Sequence, residues 1–173
     1  MNAKRLLWQS VDVKRHKNRA FWLAAIWVIL TVVQFVLEDV MKDWMPGGIV
    51  ILIFFGKLIC EIFVIYDLFK ILGIVFRHKR VIFAECTLSE FGCTGGHYFF
   101  RVMVTTVEGE YHTCTNAIYS DTSIHAGFND WKNKRVIVAY DPQESIAFVI
   151  GEATEELRRQ LVIFERRNKR RRS

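Results

Sequence analysis

The 173-residue sequence predicts a two-helix transmembrane hairpin followed by a small antiparallel β barrel or sandwich and a C-terminal basic helix. Three observations predict it. Two apolar runs, residues 20–37 and 49–76, are each long enough to cross a bilayer. After Arg80 the hydrophobic period shortens to two, the period of a half-buried strand. From Glu152 the period becomes helical again, and the chain closes on a cluster of bases.

Residues 1–19 carry Lys4, Arg5, Lys14, Arg15, Lys17 and Arg19 against Asp12, with Leu6, Leu7, Trp8, Val11 and Val13 between them. This pattern predicts a solvated basic arm that orients the first span. A short amphipathic helix on the inner leaflet is the alternative. The run AFWLAAIWVILTVVQFVL over residues 20–37 makes a helix of about 27 Å, with Trp22 suited to one interface and Trp44 beyond the other. Gln34, Glu38 and Asp39 occupy the place where a signal peptide would be cut, so the run is read as a retained span. The connector over residues 38–48 holds Glu38, Asp39, Lys42 and Asp43, is net negative, and ends in the turn signal Pro46-Gly47-Gly48.

The second run, IVILIFFGKLICEIFVIYDLFKILGIVF, makes a rod of about 42 Å, more than the roughly 30 Å of hydrocarbon, so it tilts or projects. Arg77, His78, Lys79 and Arg80 follow at once. Basic flanks before the first span and after the second predict that both termini are cytoplasmic, with a short acidic loop outside. Lys57 and Glu61 lie one turn apart near the bilayer midplane, where a lone charge costs roughly 2.5–3.5 kcal/mol on insertion scales, so they neutralise each other or face protein. Gln34 on the first span is a third member of this intramembrane contact. Asp67 and Lys70 lie nearer the far end.

Residues 77–151 form the predicted β domain. Residues 81–88 read as a strand, 89–96 as a Gly-containing turn, and 97–107 as a strand with Tyr98, Phe100, Val102 and Val104 alternating on one face. Glu108-Gly109 is a tight turn and 111–117 the return strand. A polar loop covers 120–127, a short helical turn 128–134, and a second hairpin, 135–140 with 145–150, closes around Asp141-Pro142-Gln143-Glu144. That makes five strands. Cysteines stand at 60, 86, 93 and 114, without disulfide or zinc spacing, which fits a reducing compartment. His112 and Cys114 share a strand face, and Cys93 with His97 could add two ligands from the neighbouring turn, yet no paired Cys-x2-Cys occurs, and no metal or other cofactor is expected. His125 reads as a solvated loop residue.

Residues 152–173 predict a helix with Leu157, Leu161 and Phe164 on one face and acids Glu152, Glu155 and Glu156 at its start, a polarity that suits the helix dipole. Arg166, Arg167, Lys169, Arg170, Arg171 and Arg172 are expected to fray into a tail that contacts anionic lipid.

The basic arm, the two spans and the β segment closing on Tyr140-Asp141-Pro142 resemble uncharacterised bacterial families of two-span membrane proteins with an extramembrane β domain. In those families the last hairpin carries a Tyr-Asp/Asn-Pro turn; this chain has Glu144-Ser145 where a second proline is usual. The resemblance implies a fold and a membrane location and no reaction.

No Walker loop, nucleophile elbow or HExxH helix occurs, so the chain reads as a non-enzyme. Bases next to a membrane meet lipid first, and no nucleic-acid partner is expected. The expected function is an inner-membrane protein whose hairpin and cytoplasmic β module bind another membrane protein, a complex or a second copy, of the immunity, exclusion or regulatory type. The alternative is a membrane-tethered sensor that binds a metal or small ligand in the β domain.

Overall fold

The computed structural model describes residues 3–40, 47–88, 90–94, 97–106, 109–115, 131 and 133–172. The chain divides into two compact units, residues 15–73 and residues 1–14 with 74–173.

The first unit holds most of two long helices, α2 (Val11–Val40) and α3 (Gly47–Phe76). Both are long and apolar enough to cross a membrane. They run antiparallel and come close where Gly56 faces Leu30: a Cβ on that glycine would lie 3.2 Å from Leu30 Cδ1, so its missing side chain is what the approach requires. Buried positions on α3 recur every seven residues, at Ile53, Cys60 and Asp67, which is the seam period of packed helices. Away from the seam, Phe21, Phe35, Leu52 and Phe69 are each more than two-thirds exposed. Soluble monomers seldom present continuous apolar surface of this extent, whereas a helix in hydrocarbon needs it. The helix α3 begins at Gly47, so Gly47 and Gly48 form its first turn and not a loop; Lys42, Asp43, Trp44 and Pro46 lie outside the described residues.

The second unit begins at the N-terminus. The expected solvated arm is instead a short helix, α1 (Ala3–Trp8), with Leu6 and Leu7 fully buried, followed by the first turn of α2, where Val13 is buried too. Ser10 caps that turn, its hydroxyl accepting the Val13 amide at 3.3 Å. Ala3, Leu6, Leu7 and Val13 are buried, and the short helix packs on the Arg77–Lys79 turn and on the sheet.

The sheet has six strands in the order β1-β5-β6-β4-β3-β2: β1 (Ile82–Thr87), β2 (Glu90–Thr94), β3 (His97–Thr106), β4 (Gly109–Thr115), β5 (Arg135–Asp141) and β6 (Ile146–Glu152). It is neither a closed barrel nor a purely antiparallel sandwich. The strands β4 and β6 pair in parallel, through Cys114 with Ile146 and Thr115 with Ala147. The segment read as a turn before β3 contains β2, paired with β3 from Glu90–Arg101 to Thr94–His97. The sheet curls, so that Ala84 and Cys86 of β1, Phe100, Val102 and Val104 of β3, Val136, Val138 and Tyr140 of β5, and Ala147 and Val149 of β6 share one core. The strands β5 and β6 are buried on both faces, which explains their unbroken apolar runs. The C-terminal helix α4 (Glu155–Arg172) packs on the sheet through β1, where its Phe164 meets Phe83 edge to face at 5.4 Å between ring centres. This helix continues to Arg172, so the closing bases extend it and do not fray into a tail. The predicted loop over 120–127, with His125, and Glu108 of the tight turn fall outside the described residues; of the helical turn at 128–134, Trp131 is helical.

Candidate functional site

Three residue groups bring chemistry together, two on the helix pair and one beside the sheet.

The seven-residue seam of α3 places an acid where apolar residues are expected. Asp67 is wholly buried between the helices, and two bases on one face of α2 hold it. His16 Nδ1 is 2.7 Å from its Oδ1, Arg19 Nε donates to its Oδ2 at 2.8 Å, and the same guanidinium also donates to Oδ1. Such a two-pronged arginine–carboxylate pair fixes orientation as well as charge. Arg19 also lies over the Tyr66 ring at 5.7 Å, with Lys70 near the same ring at 5.4 Å. Asp67 is seven residues beyond Cys60, and His16 and Arg19 stand one turn apart.

Further along the pair, Trp27 touches two of the three residues expected to form the intramembrane contact. Glu61 accepts a hydrogen bond from Trp27 Nε1 at 2.9 Å, and Lys57 lies 5.1 Å from the Trp27 ring centre. Lys57 donates to Gln34 Oε1 at 3.2 Å, and Gln34 in turn donates to Glu38 at 2.8 Å. Lys57 and Glu61 therefore have different hydrogen-bond partners on α2, share Trp27 as a neighbour, and among the described residues form no ion pair with each other. Beside Glu61 the helices leave an apolar hollow of about 400 Å³, lined by Ala24, Trp27, Val28, Cys60, Val64 and Ile65. The hollow is open to the outside, and among the described residues Glu61 is the charged one that lines it.

In the sheet unit, Arg77 and Arg80 close on the β5–β6 turn. Asp141, wholly buried, accepts from Arg77 at 3.2 Å and pairs with Arg80 Nε at 2.9 Å, while its Oδ1 accepts the Gln143 amide at 3.2 Å. Arg80 also reaches Gln143 and Glu144 at 2.7 Å each. Hydrogen bonding to Arg77, and then Arg80, holds the Glu144 carboxyl below its usual range. The Tyr140-Asp141-Pro142 turn is thus an anchoring point for the bases that follow α3, beyond the local turn chemistry read from sequence.

On β4, exposed His112 and half-buried Cys114 share the outward face, opposite Thr113. Among the described residues no three of His, Cys, Asp and Glu converge as metal ligands, and the side chains of Cys93, His97 and His125 lie outside them. Burial pushes the Cys86 thiol up to about 12, so it is protonated near neutral pH and packs as a small apolar group. The side chains of Arg166, Arg167, Lys169, Arg170, Arg171 and Arg172 also lie outside the described ones; their backbone is helical.

Comparison with protein-family models, curated proteins and solved structures returns no match to this chain.

Proposed function

We propose that this is a non-enzymatic protein of a bacterial inner membrane, whose helical hairpin and sheet unit bind another membrane protein or a second copy of the chain. The observation that carries the reading is Glu61, exposed at the rim of an apolar hollow with Trp27 Nε1 as its donor among the described residues. In hydrocarbon a carboxylate with one donor is costly, and it favours a neighbour that brings a cation or further donors. A helix lying in the hollow and carrying such a group satisfies both the apolar walls and the acid.

The division of the chain supports the membrane arrangement. Residues 1–14 and 74–173 fold as one unit, so a chain that enters lipid after residue 14 returns to the same side before residue 74. Basic residues flank the hairpin on that side, which makes it the cytoplasmic one. Immunity, exclusion and regulatory proteins work by such contacts, blocking or tuning a membrane complex without chemistry of their own.

The test is crosslinking in native membranes followed by purification of the tagged chain. Glu61→Ala is expected to cut recovery of the crosslinked partner several-fold while the sheet unit keeps its thermal transition. Recovery equal to that of the parent chain rejects the contact.

A further inference from the structure

We propose that the outward side of α4 is an interfacial helix that lies on an anionic lipid surface, with Val162 and Ile163 entering the headgroup layer and the bases beyond them meeting lipid phosphates. This inference rests on the membrane reading above and adds a second, separate contact with the bilayer.

The inner side of α4 is already accounted for. Leu157 lies 3.7 Å from the position a Cβ would take on Gly151, Phe164 packs on Phe83, and Arg158 forms a two-pronged bridge to Glu85 at 2.8 and 2.6 Å. Val162 and Ile163 are left over. They are 46% and 49% exposed, side by side on a helix whose other apolar residues, Leu157, Leu161 and Phe164, are half-buried. At about 100° per residue, positions 155, 159, 162, 163, 166 and 170 fall on one side of the helix; Arg159 pairs with Glu155 at 3.7 Å, and the positions of Arg166 and Arg170 follow the two apolar residues on that side. The acids Glu155 and Glu156 are confined to the first turn, and from residue 165 onward six bases stand against one acid.

Charge and apolarity together select the occupant. A polyphosphate such as RNA answers the bases but leaves Val162 and Ile163 in water. An anionic leaflet answers both, through its phosphates and its acyl boundary. The chain also carries two helices of membrane length, and the second ends immediately before the sheet unit, so a lipid surface is within reach of that unit.

The experiment is amide hydrogen exchange on the full chain in nanodiscs of phosphatidylcholine alone and of phosphatidylcholine with about a third phosphatidylglycerol. Residues 160–172 are expected to exchange at least tenfold more slowly in the anionic discs, and 0.5 M salt is expected to remove most of that difference. Val162→Gln with Ile163→Gln, two half-exposed positions outside the core, is expected to lose most of the protection with the sheet amides unchanged. Equal exchange in the two lipids overturns the inference and leaves the hairpin reading standing. Rapid exchange of residues 20–37 and 49–76 in both discs overturns the hairpin reading and this one with it. Protection in neutral discs on adding polyuridylate, or on loading two chains per disc, without any effect of the anionic lipid, assigns the face to nucleic acid or to a second copy and also overturns the proposal.

Discussion

Asp67 carries the strongest single-residue argument in the helix pair. A buried carboxylate is satisfied only while Arg19 and His16 stay in place, and removing the acid costs the part-buried His16 and the more exposed Arg19 their shared acceptor. Asp67→Ala is therefore expected to destabilise the pair by about 1–2 kcal/mol, since solvent screens the exposed side of Arg19, and Asp67→Asn by less, since the amide still accepts a hydrogen bond. Unfolding of the full chain in graded sodium dodecyl sulfate, followed by far-ultraviolet circular dichroism, measures both. Asp67 was present in the sequence as a charge near the far end of a span, and its place on the seam emerges only with the burial of Ile53 and Cys60. The partners were harder to find, because His16 and Arg19 sit in a segment whose composition resembles a solvated arm. Lys57, Glu61 and Gln34 were legible as a group, since charges and amides within apolar runs are few. Trp27, which touches two of them, was not, because an aromatic residue in a span carries no mark of a polar role.

At the level of elements, the bridge between α4 and the sheet turns a pKa shift into a pH dependence. Hydrogen bonding to Arg158 holds Glu85 below the usual carboxylate range, so the folded state binds its proton more weakly than the unfolded chain. The contribution of this pair is complete above about pH 4.3, where an unperturbed glutamate titrates, and is lost as pH falls through the lower folded value. Glu144 has a shift of the same sign, so removing one pair is expected to reduce the loss in part. The thermal midpoint of the detergent-solubilised chain should fall between about pH 5 and pH 3, and less steeply in Glu85→Gln. Strands with a simple pattern were legible: β3 alternates Phe100, Val102 and Val104 against exposed Arg101 and Met103, and β5 and β6 are unbroken apolar runs. The strand β2 was hidden because Glu90-Phe91-Gly92-Cys93-Thr94 has turn-forming composition, and pairing along the whole of its length with β3 overrides that preference. The parallel register of β4 and β6 was hidden too, since no local pattern reports which distant strand lies alongside.

For the whole molecule, the prediction concerns sidedness. With residues 1–14 and 74–173 in one unit, an impermeant thiol reagent is expected to label Asp43→Cys on intact spheroplasts, while a C-terminal tag is reached only after permeabilisation. The reverse pattern places the sheet unit outside. A tag at the C-terminus exposed together with residue 43 removes the hairpin altogether. The same division orders events during synthesis. Leu6 and Leu7 leave the ribosome before either long helix, yet the Arg77–Lys79 turn and β6, against which their helix packs, are translated only after both. The opening residues thus wait, apolar and uncovered, through the whole of insertion, and a bulky fusion at that end would hinder a docking step that comes last.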